Sequence, residues 1–249
     1  MAFASVEVGP FRIGDVSYDD AVALASELAI NPTHVQRFYA LHVGGLNART
    51  VDGFVEEMND AELVCADGGS IVLLGKLAGA REIERVPTTD AGWDVLRAVG
   101  EKLGRVPRVA LIGAHDDVIT RAASALRDGV PCDTVLVEHG YHQEWSAVLA
   151  RLREATPDVL VLGLGAPKEM LWVREHYAEL PACLVMTCGG WFGFLSGDES
   201  RAPALLRRSG LEWIARVAQA PRRLIPRYAS GMVSTATVGL QVLRRRLPG

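Results

Sequence analysis

Short apolar runs alternate along this chain with segments whose apolar residues recur at helical spacing. The runs, which are typical of strands buried on both faces, lie at residues 38–43, 63–66, 109–112, 134–137, 159–162 and 184–187. The helical segments are predicted at residues 20–28, 50–59, 71–77, 90–103, 118–126, 146–155 and 168–177. Such alternation predicts an α/β, Rossmann-like fold in which a mainly parallel sheet carries helices on both faces.

The ends of the chain are less regular. Residues 11–16 are expected to form a short strand or part of a hairpin, and Thr50 is placed to cap the second helix. Residues 205–217 have amphipathic spacing and predict a further helix. We therefore expect an α/β core over residues 1–200 and an Arg-rich, helical C-terminal segment over residues 201–249.

Glycine is concentrated where the predicted strands end. Because parallel strands bring their carboxyl ends to one edge of the sheet, and ligands bind beyond that edge, these positions predict a shared crevice for phosphate and sugar. They are Gly44-Gly45, Gly68-Gly69 after Asp67, Gly113, Gly163-Leu164-Gly165 and Gly189-Gly190.

The stretch DVLVLGLGAPKE (158–169) shows this pattern most clearly. Two glycines after a buried strand allow a sharp turn and close approach to a ligand, and Pro167 suits the first turn of a helix. A helix starting there would direct backbone N–H groups at phosphate, although an ordinary strand-to-helix turn would have the same sequence. Lys168 replaces the third glycine of a dinucleotide fingerprint, which disfavours NAD.

Asp67 is the candidate general base because it directly follows an apolar strand. Partial burial there would raise the pKa of its carboxyl, but Asp-Gly-Gly-Ser is equally the sequence of a turn or a helix cap. Arg85 and Asp90 stand at the two ends of a loop before a helix. Arg85 could hold a phosphate or pair with Asp90, and Asp90 is also placed to cap that helix.

The distribution of charge singles out the C-terminal segment. Residues 201–249 contain ten Arg, no Lys and one acid, a net of +9, so the total of −4 leaves −13 for the other 200 residues. This asymmetry suggests an anionic partner such as a membrane surface, a nucleic acid or a phosphorylated substrate, the alternative being a solvated basic end. The uncharged run over residues 228–243 is shorter than the roughly 20 residues that span a bilayer, but suits a surface-lying segment. A packed C-terminal helical pair remains the alternative.

Metal and redox chemistry find little support in the sequence. The four cysteines form no C-x-x-C pair, which disfavours a zinc site or a disulfide framework and favours a reducing compartment. His139 and His142 have no further ligand beside them, which favours a surface loop. The N-terminus lacks a signal pattern, so we expect no secretion.

Seven motifs, taken in order, resemble the WecG/TagA/CpsF family of bacterial glycosyltransferases. They are ADGGSIVLLGKLAG (66–79), ERVPTTD (84–90), PDVLVLGLGAPKE (157–169), Gly-Gly-x-Phe (189–192), SGDESRAP (196–203), GLEWIARV (210–217) and APRRLIPRY (220–228). The resemblance implies an inverting enzyme without metal or other cofactor that moves a sugar, often of the N-acetylmannosamine type, from a UDP-sugar to a polyprenyl-diphosphate-linked sugar. It implies action at the cytoplasmic face of the membrane in cell-surface polysaccharide or glycolipid assembly.

The resemblance also implies roles for individual residues. Asp67 matches the catalytic Asp, and the arginines of the C-terminal segment would dock at the membrane and complete the site; these are Arg201, Arg216, Arg222, Arg223 and Arg227. Substrate contacts are expected at Asn47, Gly68, Arg85, Asp90, Gly113, Gly163, Gly165, Ala166, Pro167, Lys168, Glu169, Gly189 and Gly190. A homo-oligomer is compatible with this reading, and a nucleic-acid partner is disfavoured because the tail lacks interleaved aromatics.

Three positions depart from the family pattern. Glu169-Met170 stands where the family usually has Gln-Glu, Gly193 stands where Gly-Gly-x-Phe is followed by Asp, and Gly45 stands where a Thr precedes the Asn at position 47. These departures leave the donor sugar open. They also keep a second reading, a catalytically degenerate scaffold that binds a nucleotide sugar.

Overall fold

A six-stranded sheet, in which every pairing is parallel, forms the centre of the protein in a computed structural model that describes residues 3–200 and 221–246. The strand order is β4-β3-β8-β7-β5-β6, and β1 and β2 form a separate antiparallel hairpin. The strands are β1 (Ser5–Val8), β2 (Phe11–Gly14), β3 (Gln36–Leu41), β4 (Leu63–Ala66), β5 (Arg108–Gly113), β6 (Asp133–Glu138), β7 (Val159–Gly163) and β8 (Leu184–Thr187). The predicted parallel α/β fold is confirmed.

Helices cover both faces of this sheet. They are α1 (Tyr18–Leu28), α2 (Val43–Asn47), α3 (Phe54–Asp60), α4 (Gly69–Ala78), α5 (Thr88–Leu103), α6 (Asp116–Gly129), α7 (Ser146–Ala155), α8 (Lys168–His176), α9 (Trp191–Leu195) and α10 (Pro221–Arg246). The strands serve both layers because successive side chains point to opposite faces. In β7, Val159 and Val161 pack with α1, α5, α6 and α9, whereas Leu160 and Leu162 pack with α7 and α8.

The segment after β3 differs from the prediction. The short helix α2 was not predicted; it begins where the His42 ring Nδ1 accepts from the N–H groups of Gly44 and Gly45, at 2.9 and 3.2 Å. The predicted Thr50 cap is wrong, because α3 starts after Gly53, whose φ of +72° is left-handed. Gly53 adopts this conformation without the cost that a Cβ would add, and it sets the start of the helix.

The C-terminal helix α10 is part of the folded core. It packs across α2, α4 and β1, with Val238 fully buried and Val242 nearly so, in one apolar cluster with Leu41 and Leu74. At Gly231 a Cβ would overlap Val43, so a glycine is required for close contact with α2. A packed helix, which belonged to the alternative of a C-terminal helical pair, is therefore found for residues 221–246, while the predicted helix at 205–217 lies outside the described residues.

Candidate active site

The carboxyl ends of β4 and β3 bring Asp67 to the sheet edge. The Asp67 N–H donates to the carbonyl of Leu41 at 2.7 Å, which continues the strand pairing by one residue, and its side chain is half-buried. Gly68 follows with φ of +106° and precedes α4. A Cβ at Gly68 or Gly69 would meet nothing within 4 Å, so the backbone at the start of α4 borders open space.

Arg85 lies beside the same strand end. Ala66 and Arg85 form a parallel bridge, and the Val86 N–H donates to the Ala66 carbonyl at 2.8 Å. Arg85 is thus one strand spacing, about 5 Å, from the residue that precedes Asp67. Asp90 follows in the first turn of α5, where its N–H bonds the Pro87 carbonyl at 2.9 Å. The structure therefore places Arg85 beside the strand end that carries Asp67, and Asp90 in the first turn of the helix that follows.

Asp15, which sequence analysis missed, holds the loop that carries Arg85. Its carboxylate accepts from the N–H groups of Arg81, Glu82 and Ile83 at 2.8 to 3.0 Å. Three backbone donors on one carboxylate fix the path of the chain two residues before Arg85. A sequence signal for this contact was lacking, because its partners are backbone groups 66 to 68 positions away.

Glycines pack tightly at the ends of β5 and β7. At Gly113, with φ of +146°, a Cβ would lie 2.6 Å from the carbonyl carbon of Gly163, and at Gly163 it would lie 2.6 Å from the Phe192 ring and 2.7 Å from Cys188 Sγ. Burial, reinforced by the nearby Glu169 carboxylate, raises the pKa of the Cys188 thiol well above its usual range, so it stays protonated. Space permits only glycine at 113 and 163.

The loop after β7 is held in shape by Glu169. Its carboxylate is 1% exposed and accepts from the Gly165 N–H at 2.9 Å. Gly165 has φ of +79° and borders open space, a cis peptide joins Ala166 to Pro167, and α8 begins at Lys168. In this structure Glu169 contacts the loop backbone from within, while Gly165 presents the same loop to the crevice.

Gly189 and Gly190 follow β8, between the two regions described above. Gly189 has φ of +55° and open space where a Cβ would stand, and α9 begins directly after Gly190. Since β4 and β7 are separated by β3 and β8, Asp67 and Gly163 stand three strand spacings apart, about 14 Å, on the same edge. The predicted glycines at positions 68, 163, 165, 189 and 190 thus lie along one edge of the sheet, where the crevice for phosphate and sugar is expected.

Asn47 is linked to the C-terminal helix. Its Nδ2 donates to Ser230 Oγ at 2.9 Å, and the neighbouring Arg49 donates to Ser234 Oγ at 2.9 Å. Of the arginines expected to complete the site, Arg222 is exposed at the start of α10. Arg201 and Arg216 lie outside the described residues, as do the side chains of Arg223 and Arg227.

The end of this sheet edge at β6 carries stacked aromatic rings. The exposed Tyr141 ring stacks on His115 at 4.2 Å, and His139 stacks on His142 at 4.0 Å. Burial, followed by the neighbouring His139, lowers the pKa of His142, which favours its neutral form. Sequence analysis named only His139 and His142, and only the fold brings His115 to Tyr141.

Comparison with known proteins points to one family. A sequence model described as "Glycosyl transferase WecG/TagA/CpsF family" matches residues 6–248. An N-acetylglucosaminyldiphosphoundecaprenol N-acetyl-beta-D-mannosaminyltransferase from Staphylococcus aureus (strain NCTC 8325 / PS 47) is 28% identical over 172 residues, covering 68% of this chain and 66% of that protein. A protein of the same name from Bacillus subtilis (strain 168) is 27% identical over 183 residues, covering 71% of this chain and 70% of its own length.

Proposed function

This chain belongs to the glycosyl transferase WecG/TagA/CpsF family, and we propose that it transfers a sugar, with inversion, from a UDP-sugar to a polyprenyl-diphosphate-linked acceptor. The observation that carries the proposal is the carboxyl edge of the sheet, where the half-buried carboxylate of Asp67 shares one edge with open glycine backbone at positions 68, 165 and 189. The Staphylococcus and Bacillus relatives support the proposed sugar and acceptor, because both are N-acetyl-beta-D-mannosaminyltransferases for N-acetylglucosaminyldiphosphoundecaprenol.

Asp67 is the proposed general base. Its carboxylate takes the proton of the acceptor hydroxyl as that oxygen forms a bond to the anomeric carbon of the donor sugar. The bond from that carbon to the diphosphate oxygen breaks, and UDP leaves with the electron pair. Attack from the face opposite to the leaving group inverts the anomeric centre, and one base suffices for a single displacement.

The leaving diphosphate requires positive charge. Arg85 next to Asp67, the backbone N–H groups at the start of α8, and the C-terminal arginines are the proposed sources. In this proposal they do the work that a bound cation does in other transferases. Gly165 and Lys168 would line the diphosphate, and Gly189 and Gly190 would let it approach the end of β8.

Transfer from UDP-N-acetylmannosamine to a polyprenyl-diphosphate-N-acetylglucosamine tests the proposal. We expect Asp67→Asn to lower kcat by about 10²- to 10⁴-fold, the range for loss of a general base, with little change in the affinity for UDP. Asp116→Asn is the matched control, because Asp116 is an exposed acid at the same sheet edge. Full activity of Asp67→Asn would remove Asp67 from its role. UDP-sugar binding without turnover by the wild type would favour the scaffold reading.

The exposed side of α10 is the proposed membrane contact. Opposite its buried face the helix exposes large apolar side chains, between 43 and 73% accessible, at Ile225, Met232, Val233, Leu240 and Leu243. Exposed Arg222 and Arg244 flank this surface near the two helix ends. An apolar face bordered by basic residues suits the interface of an anionic bilayer. Across the described ranges, none of the helices has the length and hydrophobicity needed to span a bilayer.

Sedimentation with vesicles that contain anionic lipid tests this contact. The double variant Met232→Ser/Val233→Ser should reduce the fraction that pellets, since it removes apolar area from the exposed face. Val106→Ser, at an exposed valine before β5, is the control and should leave binding unchanged. Equal pelleting of both variants would contradict the assignment.

A further inference from the structure

Glu199 occupies the space beside Gly193. A Cβ placed on Gly193 would meet Cγ and Cδ of Glu199 at 3.2 and 3.3 Å. The Glu199 N–H also donates to the Gly193 carbonyl at 2.9 Å, so the two residues are held together by backbone as well as side chain. The position where the family pattern carries Asp therefore lacks a side chain of its own, and a carboxylate from six residues later lies against it.

This contact lies beyond the carboxyl end of β8, at the sheet edge that carries the proposed site. Gly193 lies on α9, whose second residue, Phe192, packs against Gly163 at the end of β7. The loop that carries Glu199 is anchored to α6, because Arg121 Nη2 donates to both oxygens of Asp198 at 2.7 and 2.8 Å. Glu199 itself is half-buried. An anchored loop and a partly buried side chain give the carboxylate a defined place at the end of β8.

We propose that Glu199 supplies, from the loop after α9, the carboxylate that Gly193 lacks, and that it binds hydroxyl groups of the nucleotide sugar. This inference rests on the proposed function. A carboxylate accepts hydrogen bonds from hydroxyls with charge-assisted strength, whereas it repels a diphosphate. Glu199 therefore faces the ribose or the transferred sugar rather than the phosphates. The carboxylate of Glu199 thus compensates for the absence of one at position 193.

The proposal is tested by removing the carboxylate at position 199 and placing one at position 193 on α9. Isothermal titration with UDP and with UDP-N-acetylmannosamine would compare the wild type, Glu199→Ala, Gly193→Asp and the double variant. We expect Glu199→Ala to weaken binding by about tenfold or more, the loss typical of a hydrogen bond to a charged group. Gly193→Asp alone should also weaken binding, because its Cβ meets Glu199 and two carboxylates repel. The double variant should bind within about threefold of the wild type.

The rescue separates a ligand contact from a structural role, since a damaged loop would not be repaired by a second substitution. If Glu199→Ala loses equal affinity for UDP and for the UDP-sugar, Glu199 contacts the ribose. If it loses affinity only for the UDP-sugar, Glu199 contacts the transferred sugar. Asp116→Ala controls for net charge at this edge. Unchanged binding by Glu199→Ala, or a double variant no better than either single one, overturns the inference alone. A wild type that binds neither ligand overturns the proposed function and the inference with it.

Discussion

The two edges of the central sheet carry different kinds of residue. At the amino edge, carboxylates tie neighbouring strands: Glu62 accepts from the Arg37 N–H at 2.6 Å, and Asp158 accepts from Arg105 and from the Arg108 N–H at 2.7 and 2.8 Å. At the carboxyl edge, glycines leave backbone facing open space at positions 68, 165 and 189. The amino edge is thus held by ion pairs and hydrogen bonds, whereas the carboxyl edge leaves backbone accessible at these three glycines, as the proposed ligand site requires.

The largest effect on stability is expected for Gly113→Ala, at the carboxyl edge. The new Cβ would overlap the Gly163 carbonyl group, which belongs to the backbone and cannot turn aside, and the φ of +146° adds strain. We expect a loss of about 3–5 kcal/mol in the free energy of unfolding, measured by urea denaturation. Gly165→Ala has φ of +79° but open space, so its loss should be about 1 kcal/mol. Equal losses would refute the distinction between packed and open glycines.

At the amino edge, the second prediction concerns Glu57, whose carboxylate is buried. Glu57 is 2% exposed, accepts from Tyr39 Oη at 2.7 Å and pairs with Arg37 at 3.5 Å. Glu57→Ala leaves both partners buried, and we expect a loss of about 3 kcal/mol in a urea titration. Glu56→Ala, at the exposed neighbour, should change stability by less than about 0.5 kcal/mol. Nucleotide-sugar affinity of the folded Glu57 variant should remain unchanged, because the pair lies away from the crevice.

Alkaline pH should lower the stability of the fold through the same contact between Tyr39 and Glu57. Burial, followed by the Glu57 carboxylate, raises the pKa of Tyr39 well above 10. Because the pKa of Tyr39 is higher in the folded than in the unfolded chain, its contribution to stability is complete below the unfolded-state pKa near 10. Above that pH the free energy of unfolding should fall by up to about 1.4 kcal/mol per pH unit. Tyr39→Phe should cost about 1–2 kcal/mol at neutral pH and flatten this decline. A decline of the same slope in the variant would show that Tyr39 does not cause it.

The smallest effect is expected for Glu169→Gln, which keeps the size of the side chain and replaces the carboxylate by an amide. The amide oxygen can still accept from the Gly165 N–H, so stability should fall by less than about 1 kcal/mol and UDP affinity by less than about threefold. Glu169→Ala removes that acceptor and should weaken binding clearly more. Matching affinities in the two variants would mean that the loop does not depend on this contact.

Much of the fold was accessible from the pattern alone. Buried parallel strands give continuous apolar runs, and glycine at their ends is visible in the chain, so the parallel sheet and its glycine-rich edge could be predicted. The helix α2 was missed because its cap is a histidine ring, and Asp15 was missed because its partners are backbone groups far along the chain.

The amino-acid sequence by itself determined the order of strands and helices, the family and the acid at position 67, because periodicity and ordered motifs are local properties. Only the tertiary structure decided which strands are neighbours, that Arg85 stands next to the end of β4, and that Glu199 fills the space beside Gly193. The strand order and the place of Arg85 depend on elements distant in the chain, and the contact of Glu199 depends on the path of the chain after α9. Packing, rather than any local pattern, fixes these placements.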